Sequence, residues 1–362
     1  MRTSRWLVIA ATALAVALSA CGSDGSSAAK PSGSSTSSKP AGNPKTAIAP
    51  AEVPAAKSAG CGKAAVAAGQ TKATLQSGGE ERWYYREVPP AHNGTAPVPV
   101  VLDFHGYSEG ADVHLLMSKL GPFGDEKGFV TLTPQGTGPV PRWDTTLGSK
   151  DLVFAGAMLD ATETQLCIDT NRVYSTGLSN GAFMTSAMAC AYSDRIAAAA
   201  PVAGVREIKG CTFKRPVPMV AFHGTADGYV SFTGGLGERA LDLPAPDGSG
   251  KKLRDTLDPS QLKKSLDSKD SIPNIMAAWA KRNGCPAGNT EKPIAPDVTR
   301  VSYNCPPADA TILYRVTDGG HTWPGSEFSQ SIASIVGKTT TSVSANAVMW
   351  DFFVNHPLRA AH

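Results

Sequence analysis

Residues 172–191 read RVYSTGLSNGAFMTSAMACA. Arg172–Thr176 is β-branched and aromatic, as a strand is, and Asn180–Ala191 is an Ala/Met-rich helical run. Between them stands Gly177-Leu178-Ser179-Asn180-Gly181, a G-x-S-x-G sequence. With 36 glycines in 362 residues, chance alone supplies roughly 0.3 such matches. The strand–turn–helix setting is what separates this one from a Gly-rich surface turn. A sharp turn of that kind pushes the serine hydroxyl out at the carboxyl edge of a sheet, and its glycines let the neighbouring backbone come close. Ser179 is therefore a candidate nucleophile.

Outward from this segment the same alternation continues. Strand-like runs fall at Trp83–Val88, Val98–Phe104, Phe129–Thr133, Ile196–Val202, Met219–Phe222 and Thr311–Val316. Helical patterns fall near Asp151–Leu166, Ser271–Arg282 and Ser344–Asn355. Such alternation predicts an α/β fold with a mostly parallel central sheet flanked by helices. The first two runs, joined by the Pro-rich Pro89–Pro97, are open to pairing as an antiparallel edge. Thr233–Ser271 is polar, carries Pro, Gly and Lys, and reads as a long surface insertion.

A serine hydroxyl needs a base, and the base needs an orienting acid. In α/β-hydrolases the order is Ser, acid, His, each just past a strand. His223-Gly224-Thr225-Ala226-Asp227 follows Met219–Phe222, and Asp318-Gly319-Gly320-His321 follows Thr311–Val316. Asp227 thus takes the acid position and His321 the base position. Asp318 is too close to His321 in a Gly turn to reach the far ring nitrogen. Asp194, beside Arg195, reads as a solvated charge. His92, His114, His356 and His362 suit surface roles, and His105 and His223 suit turns. Phe104-His105-Gly106-Tyr107 ends a strand where the fold supplies an oxyanion donor, so the expected pair is the backbone N–H groups of Tyr107 and Asn180.

With these pieces in order, the chain resembles the secreted α/β-hydrolase esterase family of polyhydroxybutyrate depolymerases and feruloyl esterases, in lipoprotein form. The resemblance runs from about Arg82 to Pro357. It is carried by His105-Gly106, Arg172-Val173-Tyr174 with Gly177–Gly181, and His223–Asp227. It continues through Trp279, Asn283-Gly284-Cys285, Gly320-His321-Thr322-Trp323-Pro324-Gly325 and Trp350-Asp351-Phe352-Phe353. It implies an α/β-hydrolase fold, no cofactor and no metal, and hydrolysis of carboxylic esters through an acyl-serine. Polyester and feruloyl or cell-wall carbohydrate esters are both implied as substrate. Ala182 stands where members often have a second glycine, and the Thr233–Ser271 insertion is a larger departure. Trp143 and Trp323 are candidates to line an acyl or aromatic subsite, or else to pack in the core. A serine peptidase, or a surface binding protein on a hydrolase scaffold, are the competing classes. The complete Ser–Asp–His set speaks against the binder.

The N-terminal region has another character. Two arginines in Met1–Arg5 precede the 15-residue apolar run Trp6–Ala20, shorter than the roughly 20 residues a spanning helix needs. This predicts an export signal over 1–20. Leu18-Ser19-Ala20-Cys21 resembles a bacterial lipobox, which makes Cys21 the expected lipidation site and the membrane a partner through that anchor. Residues 21–58 read as a lipidated Cys and a disordered Ser/Ala/Gly/Pro/Lys linker, with a root-mean-square span on the order of 30–35 Å. The domain over 59–362 is expected to be catalytic and monomeric, on the outer face of a bacterial membrane or released.

Residues 1–58 hold six Lys/Arg and two acids of the chain's 34 and 31, so the remainder is nearly neutral. That lacks the basic footprint of a nucleic-acid binder. Beyond Cys21 there are six cysteines, an even number that fits three disulfides in an exported chain. Cys285 and Cys305 flank a short Pro/Gly/Asn-rich excursion and form the first expected pair. Cys190–Cys211 and Cys61–Cys167 follow by elimination.

Overall fold

The computed structural model describes residues 53–266 and 270–359. The signal segment, Cys21, most of the linker and His362 lie outside the described residues. The strands are β1 Gly69–Ser77, β2 Glu80–Val88, β3 Val98–Phe104, β4 Val130–Pro134, β5 Ile168–Leu178, β6 Ala198–Val202, β7 Met219–Gly224, β8 Asn289–Ala295, β9 Val298–Tyr303 and β10 Thr311–Val316. The helices are α1 Gly110–Ser118, α2 Leu120–Lys127, α3 Lys150–Gln165, α4 Asn180–Ala191, α5 Pro259–Leu266, α6 Ile272–Arg282, α7 Glu327–Ser331, α8 Ala333–Val336 and α9 Ala345–Val354.

All ten strands form one sheet in the order β1-β2-β4-β3-β5-β6-β7-β10-β9-β8. The middle six, from β4 to β10, are parallel, and antiparallel hairpins close both edges. This is the α/β fold expected from the alternation, in the α/β-hydrolase form that the resemblance implies. The period-2 geometry of a strand sorts the core into two layers. Val100, Leu102 and Phe104 of β3 join Met219 and Ala221 of β7 against α3, α4 and α6. Val101, Val220 and Phe222 point the other way, onto α1, α2 and α9. Burial on both faces is why the central strands read as continuous apolar runs.

Two sequence readings are corrected. Trp83–Val88 does not pair with Val98–Phe104. β2 lies between β1 and β4, while β3 lies between β4 and β5. The folded part also begins before residue 59. The Ala56 N–H donates to Asp169 at 2.9 Å, and the Pro54 and Val53 carbonyls accept from Asn171 and Arg172. This short segment needs no core of its own, because β5 supplies its partners. Among its described residues the Thr233–Ser271 insertion carries two 3-10 turns and α5.

The cysteines pair as Cys61–Cys167, Cys190–Cys211 and Cys285–Cys305. Among the described residues no helix is long and apolar enough to cross a membrane.

Candidate active site

Ser179 sits between β5 and α4 at φ 58°, ψ −116°. A non-glycine residue in that region costs on the order of 1–3 kcal/mol, so the surroundings must hold it. The Ser179 N–H donates to Val202 O at 2.9 Å, and the Ser179 carbonyl accepts from Phe183 N–H at 3.0 Å. Gly181 is required here, because a Cβ on it would lie 2.0 Å from Phe104 O and 2.6 Å from His105 O. The elbow therefore rests directly on the backbone that leaves β3.

β7 and β10 are parallel neighbours, so the turns at their carboxyl ends meet. Ala226 N–H donates to Gly319 O, tying the two turns together at 2.9 Å. Asp227 Oδ2 accepts from His321 Nδ1 at 2.8 Å, and Oδ1 accepts from the N–H groups of Tyr229 and Val230 at 2.8 and 2.9 Å. Burial pushes the Asp227 carboxyl up, but His321, His223 and these N–H groups hold it below the usual carboxylate range. Among the described residues His321 Nε2 has no hydrogen-bond partner, and no hydrogen bond joins it to Ser179 Oγ. The Tyr229 ring lies 5.0 Å from the His321 ring, and its hydroxyl donates to Ile335 O at 3.2 Å.

The other candidates separate cleanly. Asp318 is exposed, at φ 55°, with its N–H on Thr225 Oγ1. Asp194 is in an exposed pair with Lys214 rather than with Arg195. His223 donates from Nε2 to Val230 O at 2.9 Å, and burial, outweighing Asp227, lowers its proton affinity. His105 is buried and pushed down to about 4 by desolvation, so it is a neutral ring whose Nε2 accepts from Gly136 N–H at 2.8 Å. Two histidines read as surface residues are buried. His92 accepts from the Cys167 N–H, and His114 joins an ion cluster below the site.

Among the described residues the N–H groups of Tyr107 and Asn180 have no acceptor in the protein. The Asn180 side chain clasps Trp143 instead, accepting from its N–H at 2.7 Å and donating to its carbonyl at 3.2 Å. The Trp143 indole donates to His105 O at 2.9 Å. Trp143 is thus a buried clamp between the elbow and the β3 loop. Trp323 is 1% exposed, with its indole on Asn346 Oδ1 at 2.8 Å. Trp143 is 4% exposed, so burial of both side chains fits core packing, one of the two readings open to them.

The insertion reaches both sides of the site. Tyr107 Oη donates to Pro244 O at 2.8 Å, and Arg142 donates to Pro246 O at 2.9 Å. Nearer its start Arg239 donates to Ser334 O at 3.1 Å, two residues before Val336, whose carbonyl accepts the His321 N–H. One turn beyond Ser179, a cleft of about 470 Å³ opens among Phe183, Val205, Arg206, Val230, Leu236 and Ile272. The Arg206 guanidinium lies 4.2 Å from the Phe183 ring centre. Composition gave no signal for Tyr229 or for this cleft, because both depend on how the acid loop folds back.

The fold and the placement of Ser179, Asp227 and His321 define the chain as an α/β-hydrolase with a serine elbow. No protein-family model matches the chain. It is 31% identical over 194 residues to feruloyl esterase D of Neurospora crassa, covering 50% of this chain and 66% of that protein. It is 30% identical over 134 residues to a bifunctional acetylxylan esterase/xylanase of Neocallimastix patriciarum, covering 37% of this chain and 20% of that one. It is 34% identical over 129 residues to poly(3-hydroxyalkanoate) depolymerase C of Paucimonas lemoignei, covering 33% and 30%. The chain thus spans less than two thirds of the length of these relatives. Among solved structures, acetyl xylan esterase from Aspergillus awamori is 15% identical with a TM-score of 0.48, covering 73% of this chain and 98% of that one. By these matches the chain is similar to α/β-hydrolase esterases that include feruloyl esterases and polyhydroxyalkanoate depolymerases.

Proposed function

We propose that the protein is a serine carboxylic-ester hydrolase. The observation that carries this reading is the 2.8 Å bond from His321 Nδ1 to a buried Asp227, which leaves Nε2 open. Ser179 Oγ attacks the ester carbonyl carbon while His321 Nε2 takes its proton. Asp227 holds the ring in the tautomer with Nε2 basic and stabilises the imidazolium that forms. The N–H groups of Tyr107 and Asn180 receive the oxyanion. Collapse expels the alcohol with the proton from His321 and leaves an acyl-serine. Water, deprotonated by the same nitrogen, then releases the acid and restores Ser179.

The names of the relatives support esters of two kinds: feruloyl or cell-wall carbohydrate esters, and hydroxyalkanoate polyesters. The cleft beside Phe183 is where one arm of such an ester fits. Three disulfides suit an oxidising compartment outside the cytosol. A lipidated Cys21 that anchors a monomeric catalytic domain to the membrane completes the reading.

The test is product release from methyl ferulate and from polyhydroxybutyrate film by the full chain, with Ser179→Ala as blank, alongside fluorophosphonate labelling. Labelling and turnover that vanish in the variant support the reading. Turnover that survives Ser179→Ala, or folded wild-type protein that neither labels nor hydrolyses either ester, sinks it.

A further inference from the structure

Beneath the loop that leaves β3 lies a second group of charges that the hydrolytic scheme does not use. Asp103, at the end of β3, accepts from His114 Nε2 at 2.7 Å through Oδ1 and from Ser118 Oγ at 2.6 Å through Oδ2. The other nitrogen of His114, Nδ1, donates to Glu109 Oε1 at 3.3 Å. Glu109 Oε2 in turn accepts the Gly106 N–H at 2.5 Å. The side chains of His114 and Asp103 are essentially sealed, and that of Glu109 is 9% exposed. A Cβ on Gly106 would lie 2.9 Å from Glu109 Oε2 and 3.6 Å from Ser179 Cβ. The carboxylate and the candidate nucleophile therefore flank the same backbone atom.

Burying a carboxylate beside a site that must accommodate an oxyanion is costly on its own. The arrangement makes sense only if the carboxylate acts on the loop and its charge is met elsewhere. His114 meets it: burial would push the imidazolium down, but Asp103 and Glu109 lift it to about 10. His114 in return holds Glu109 below the usual carboxylate range despite burial. His105, the remaining titratable group facing the cluster, is neutral. The Gly106 N–H bond holds the peptide preceding Gly106, and the Gly106 carbonyl, in the next peptide, accepts from His105 Nδ1 at 2.7 Å and from the Glu109 N–H at 3.3 Å. The next N–H, that of Tyr107, is the one left free.

We propose that Glu109, anchored through His114 to Asp103, is a positioning residue that fixes the Gly106–Tyr107 backbone so that the Tyr107 N–H faces the developing oxyanion. This rests on the reading of Ser179 as nucleophile and of the Tyr107 N–H as donor.

The experiment compares the full chain with Glu109→Ala and Glu109→Gln on p-nitrophenyl butyrate. Active sites are counted by fluorophosphonate titration, and folding is followed by thermal melting. Glu109→Ala is expected to lower kcat per site about 10–100-fold with KM within about threefold, the pattern of a lost transition-state donor. Glu109→Gln keeps a carbonyl acceptor for the Gly106 N–H and stays within about threefold of wild type. Should the alanine variant fail to fold, Glu109→Asp keeps the charge for His114, withdraws the acceptor from Gly106, and carries the same expected loss. Normal kcat in a folded variant without the acceptor overturns the proposal. So does a Gln variant as impaired as the Ala one, or a rise in KM with kcat unchanged. Wild-type protein lacking Ser179-dependent turnover overturns the reading beneath it as well.

Discussion

Two histidines in this molecule bond to buried carboxylates at the same end of the sheet, and they differ in what is left over. His321 spends Nδ1 on Asp227 and keeps Nε2 without a partner among the described residues. His114 spends Nε2 on Asp103 and Nδ1 on Glu109. A ring with both nitrogens committed as donors to two carboxylates is a fixed cation, useful for holding a loop. A ring with one nitrogen open can take and return a proton. Proximity of a histidine to an acid therefore does not mark a base; an unspent ring nitrogen does.

The comparison predicts a crossed pattern. His321→Ala is expected to cut turnover by about 10⁴–10⁶-fold while the melting temperature stays near wild type. His114→Phe leaves Asp103 and Glu109 buried without their cation, and is expected to lose about 3–5 kcal/mol of stability by denaturant unfolding. If His114→Phe melts normally, or His321→Ala loses stability instead of rate, the distinction drawn between the rings fails. Next in size, Asp227→Asn is expected to cost about 10³–10⁴-fold in turnover with the fold retained, because the ring loses its tautomer and its counter-charge. Near-normal turnover would move the orienting role to another acid.

Stability against pH sharpens the same contrast. The His114 proton affinity, raised in the fold to about 10 from an ordinary 6.5, means the native state holds an extra proton between those values. The contribution is complete below the unfolded value and drains away as pH rises toward the folded one. Denaturant midpoints should therefore decline between about pH 7 and about pH 9.5 in wild type, and decline less in His114→Phe. Parallel slopes would show that the cluster does not hold its proton.

The two sites were unequally legible for a physical reason. Ser179, Asp227 and His321 each stand just past an apolar strand, so the pattern that reveals the sheet also reveals them. Val98–Phe104, Asn180–Ala191 and Thr311–Val316 were read with the boundaries the structure has. Glu109 has no such marker. Its role exists only because Ser108 at φ 61° and Gly110 at φ 74° turn the chain back beneath Gly106. His114 does not fit the surface role read for it for a related reason, since residue type does not report burial. β1 escaped because its exposed edge is polar, although Gly78-Gly79, both at positive φ, carries the mark of a two-residue hairpin. The β8–β9 hairpin, also polar on β8, was missed likewise.

The smallest expected effect concerns what keeps His321 in place besides Asp227. The Tyr229 ring lies tilted against the imidazole, and its hydroxyl is tied to Ile335 O. The Tyr229 N–H also serves Asp227, but as backbone it survives substitution. Tyr229→Leu therefore removes only the ring contact and the tie to α8. Turnover should fall about three- to tenfold, with Asp227 still bonded to His321. Tyr229→Phe keeps the ring and should recover most of that loss. If both variants fall equally, the Ile335 tie matters and the ring contact does not. If neither falls, Asp227 alone is enough to hold an open histidine. The two rings would then differ solely in the second carboxylate that His114 has and His321 lacks.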